Sequence, residues 1–143
     1  MVIKDEAGQV ALEYMLIFAV SLILLIVFTL PLADLTISNT LDVSDTLDVK
    51  SDLSEIADAV KQVYGQGQGS RKTVDIDSSR DIKVNVANNY VSSSLKLKDG
   101  TSKTEKVYFT STLEKSNFNI ERGLNSVVVE WPKSSENMQI YVE

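Results

Sequence analysis

Three hydrophobic patterns follow one another along this 143-residue chain, and each predicts an element. From Tyr14 to Ala33 no residue is charged and nearly every one is apolar. That length, about twenty residues, is what a helix needs to cross a bilayer core of roughly 30 Å. It is apolar all round, so it is not the half-buried helix of a soluble domain. In lipid a backbone must satisfy its own hydrogen bonds, which leaves helix as the conformation. A second pattern follows. Leu53, Ile56, Ala57, Val60 and Val63 recur at i, i+3, i+4 and i+7, with polar residues between them. This predicts an amphipathic helix, and Asp52 and Glu55 resemble a capping pair, one possible fresh helix start. Gly65-Gln-Gly-Gln-Gly69 ends it. We read one long helix over 9–64, apolar over 9–33 and amphipathic over 34–64. A kink or break is expected near Pro31, or over 39–51, where Thr-Leu-Asp-Val occurs twice.

Beyond residue 70 the period drops to two. Ile82, Val84 and Val86 alternate with polar residues, as do Leu95 and Leu97, and Val107 and Phe109. The same holds for Phe118 and Ile120, for Val127, Val129 and Trp131, and for Met138, Ile140 and Val142. Thr73 to Asp77 offers a further strand. Turn chemistry separates the runs, as at Asn88-Asn89, Lys98-Asp99-Gly100 and Arg122-Gly123. The expected fold class is α+β: a long N-terminal helix whose second part packs on an antiparallel β head domain over 70–143. We expect a meander of six or seven strands, one face on a core and one face wet.

Composition narrows the function. There is no cysteine and no histidine, which removes disulfides, thiolate chemistry, the commonest general base and the commonest transition-metal ligand. Catalysis is not expected, and neither is a cofactor. A net charge of −6 argues against nucleic acid as a partner. Asp75, Asp77 and Asp81 have the spacing of carboxylates in calcium loops, but the glycine and distal glutamate of an EF-hand are missing. No metal is expected there. Ser92-Ser93-Ser94 has no base to activate it, and 65–69 lacks the Gly-Lys-Ser/Thr ending of a phosphate loop.

The most specific signal precedes the apolar run. Gly8-Gln9-x-Ala11-x-Glu13-Tyr14 leads directly into it. This arrangement resembles the class III signal peptide of archaeal type IV pilins. In that family a membrane prepilin peptidase cuts between the glycine and the glutamine. Gln9, Ala11, Glu13 and Ile17 match the first, third, fifth and ninth mature positions, with Ala11 where serine is usual. The resemblance implies a leader over 1–8 and a mature chain that starts at Gln9. It implies a helix held in the membrane before assembly, a pilus assembly platform, and a filament of this subunit or of other pilins at the cell surface. It also implies that Glu13 pairs with the new amino terminus of a neighbouring subunit. Lys4 precedes the span and the first basic residue after it is Lys50, so the charge bias places the N-terminus in the cytoplasm. The competing reading is a single-span, membrane-anchored β domain that binds a surface ligand and does not polymerise.

Overall fold

The computed structural model describes residues 6–143, with only the backbone for residues 6 and 7. Residues 1–5 of the expected leader, including Lys4, lie outside the described residues. The fold is α+β. One helix, α1, runs Glu6–Gln66, and seven strands follow: β1 Arg71–Ser78, β2 Ile82–Val86, β3 Tyr90–Lys96, β4 Ser102–Tyr108, β5 Ser116–Ile120, β6 Gly123–Glu130 and β7 Gln139–Val142. The chain separates into two compact units, the first ending at Thr40 and the second running Leu41–Glu143.

α1 contains 61 residues. The expected break is absent: the helix passes through Pro31 and through 39–51 without interruption. The hydroxyls of this stretch bond back within the helix. Thr36, Thr40 and Thr46 each donate to the carbonyl four residues back, at 2.9, 2.8 and 2.7 Å. The glycine-rich stop behaves as read. Gly67 has φ 85° and its N–H reaches the Val63 carbonyl at 3.1 Å. A left-handed residue just past the last turn closes the helix, and glycine adopts it without a Cβ penalty.

The strands form two antiparallel sheets, with orders β1-β6-β7 and β4-β3-β2-β5. This corrects the meander. Only β2-β3-β4 and β6-β7 pair in sequence order; β1 pairs with β6 and β2 with β5. Alternation identifies a strand and its faces, but it carries no information on which strand lies alongside. Strand ends also shift. Leu97, Phe109 and Trp131 fall just outside β3, β4 and β6.

Within Leu41–Glu143 the core is one cluster. The helical stripe Val49, Leu53, Ile56, Val60 and Val63 is wholly buried. It packs with Ile76, Val127 and Val129 of one sheet and Val84, Val91 and Ile120 of the other. β6 is central in its sheet, and Val127, Val128 and Val129 are all buried, so both of its faces are covered. Tyr64, near the end of α1, stacks on Trp131 with ring centroids 5.7 Å apart and planes 2° from parallel. The Trp131 indole N–H also donates to the Ser135 carbonyl at 3.2 Å.

Candidate functional site

The motif residues Gly8, Gln9, Ala11, Glu13 and Ile17 all lie on α1 and all are exposed. Helical geometry sorts them. Gln9, Glu13 and Ile17 are spaced by four and stack along one face, whereas Ala11 turns to another side. The Gly8–Gln9 bond is itself in helical backbone. Gly8 weakens the helix locally, since glycine in a helix is about 1 kcal/mol less favourable than alanine. Among the described residues no cation lies within ion-pair distance of Glu13. The apolar residues near it are exposed: Leu12 at 68%, Met15 at 75% and Ile17 at 59%. The most apolar window of α1 has no share of its residues buried within the chain. By length and composition the helix suits a membrane anchor.

A second charged site lies in the head unit, and the sequence reading missed it. Asp42, Asp45, Asp48 and Asp52 form a ridge along α1, and each has a partner in a loop or strand end of the head. Asp42 accepts the Lys98 backbone N–H at 3.2 Å. Asp45 forms an ion pair with Arg80. Asp48 accepts from Ser79 at 3.4 Å, and Asp52 accepts from Ser78 at 2.8 Å. The spacing of these aspartates, three, three and four, was the available signal: it is the helical period written in carboxylates. The ridge fixes the turn after β1 onto α1.

Asp52 is the buried member, at 9% exposure. Burial raises its pKa above the ordinary carboxylate value; the Ser78 hydroxyl opposes this, and Glu55, Asp48 and Asp77 add to the rise. Two of the three carboxylates weighed for a metal accept hydrogen bonds within the head. Asp75 accepts from the Ser126 hydroxyl at 2.6 Å and Asp81 from the Arg122 backbone N–H at 2.8 Å. Among the described residues no group of three or more histidine, cysteine, aspartate or glutamate side chains is arranged to hold a metal ion.

No protein-family model matches the chain, and neither a curated protein nor a solved structure matches it. The function therefore has to be argued from its own residues.

Proposed function

We propose that this chain is the structural subunit of a type IV pilus-like surface filament, processed by a prepilin peptidase between Gly8 and Gln9. The observation that carries the reading is the Gly8-Gln9-x-Ala11-x-Glu13 sequence set directly against an apolar helix. Before assembly, α1 spans the membrane with the motif at the cytoplasmic face and the β head outside. Removal of the leader frees the Gln9 amine. The helix then leaves lipid and packs among the helices of other subunits. Lipid tails and packed side chains are both apolar, so the transfer is driven by close packing and polar pairing. Glu13 supplies the pairing. An acidic side chain at the centre of a membrane helix costs about 2.5–3.5 kcal/mol, and less near its end. A neighbouring subunit's amino terminus offsets that cost once α1 is in the filament. The protein is a structural subunit in this reading, with no catalytic role.

The test is the mass of the mature protein, read beside microscopy of sheared surface material. A chain starting at Gln9, in filaments, is the expected result. Gly8→Val retains the leader while still entering the membrane. Glu13→Val is cut and inserted normally but forms no filaments. A native chain that retains Met1 and remains as single subunits in the membrane would establish the anchored, unpolymerised alternative instead.

A further inference from the structure

The outer face of the four-stranded sheet differs in charge from the rest of the molecule. Alternation assigns that face. Val84, Val91 and Ile120 point inward and are buried, so their strand neighbours point outward. The outward charged residues are Lys83 on β2, Lys96 on β3 and Lys106 on β4, all exposed. No aspartate or glutamate occupies an outward position on any of the four strands. Asp81 and Glu121 stand only beyond the strand ends, and Glu105 is on the inner face, paired with Lys103 at 3.1 Å. Among the described residues Lys83, Lys96 and Lys106 have no carboxylate within ion-pair distance. A chain of net charge −6 thus carries one face with three positive charges and no negative one.

The uncharged groups narrow the partner. Asn85 faces Asn117 across β2 and β5, and Lys83 faces Asn119. Ser94 and Thr104, opposite each other on β3 and β4, share a hydrogen bond of 2.9 Å. Side-chain amides and hydroxyls both donate and accept. They match a ligand that does the same at each position, as sugar hydroxyls do; a phosphodiester backbone only accepts. Tyr90 and Tyr108 pair at the end of β3 and β4 with centroids 5.7 Å apart, and the Lys106 ammonium lies 5.0 Å from the Tyr90 ring centre. Tyr108 is 63% exposed and presents a ring against which the apolar side of a sugar can lie. The outward positions carry no aliphatic side chain, so the face is not built to bury an apolar protein surface.

We infer that this face binds an acidic polysaccharide, its carboxylate or sulfate groups held by Lys83, Lys96 and Lys106 and its hydroxyls by the asparagine and hydroxyl rows. The inference requires only that the sheet face be exposed, so it stands whether or not the chain polymerises.

The experiment uses the full chain in nonionic detergent micelles, with polygalacturonate as probe. Dextran and a single-stranded DNA oligonucleotide run alongside. Polygalacturonate is bound, and added NaCl weakens the binding. The triple variant Lys83→Ser/Lys96→Ser/Lys106→Ser loses affinity by about tenfold or more, a change of at least about 1.4 kcal/mol. Asn85→Asp, which places a carboxylate in the middle of the face, weakens binding independently of the triple variant. Lys72→Ser, on the other sheet, leaves it unchanged. Several results overturn the inference: no binding by the unaltered chain, equal binding to dextran, tighter binding to the oligonucleotide, or undiminished binding by both variants.

Discussion

Two stretches of α1 carry large apolar side chains in opposite surroundings. Between Tyr14 and Leu35 the large apolar side chains are exposed along the whole stretch, whereas Val49, Leu53, Ile56, Val60 and Val63 are wholly buried. The duplicated Thr-Leu-Asp-Val sequence shows the change over six residues. Val43, in the first copy, is 59% exposed; Val49, in the second, is 0% exposed. Six residues are 1.67 helical turns, so the two copies cannot present the same face. The contrast teaches that a hydrophobic run does not state what will cover it. The stripe at 49–63 is covered by the chain's own sheets. The run at 14–35 needs an apolar environment that the chain does not supply.

Substitutions can break this contrast, and their effects should fall in a fixed order. Ile56→Ala empties a site inside the core and should destabilise the head by about 2–5 kcal/mol in denaturant unfolding. Gly67→Ala forces a side chain into a left-handed backbone and should cost about 1–2 kcal/mol. Asp52→Asn sharpens the comparison through pH. Because burial raises the Asp52 pKa, the folded state holds its proton more tightly than the unfolded chain does. Its contribution is therefore fully present below the unfolded value and is lost as pH rises through the folded value. The asparagine variant keeps an acceptor for Ser78 without the charge. It should be more stable than the unaltered protein at pH 7, and the advantage should vanish in acid. Leu25→Ala should have the smallest effect, leaving head-domain unfolding unchanged, because Leu25 is 61% exposed and is not a member of that core. A loss of head stability from Leu25→Ala would show that the two stretches are not distinct.

The sequence made some of this legible and hid the rest for physical reasons. The 3.6-residue period at 53–63 and the two-residue period at 82–86 name faces, and the faces are those observed in the core. The helix through Pro31 was harder to read, because the missing proline N–H argues locally for a stop there, yet the helix continues. Pairing of β1 with β6 joins residues about fifty positions apart and leaves no local trace. The Gly8-Gln9-x-Ala11-x-Glu13 motif, for which processing is proposed, is linear, so its residues are legible without any fold. The basic sheet face is the opposite case. Lys83, Lys96 and Lys106 are scattered in sequence and come together only through strand register.

The stacking of Tyr64 on Trp131 makes the head its own reporter. Trp131 is the single tryptophan of the chain, so indole emission arises from one known place. It joins the last turns of α1 to the residue just past β6, a seam that must part if helix and sheets come apart. Red-shifted emission would therefore record the opening of that seam directly, in detergent, in a bilayer or within an assembled fibre, with no added dye and no background from the apolar rod.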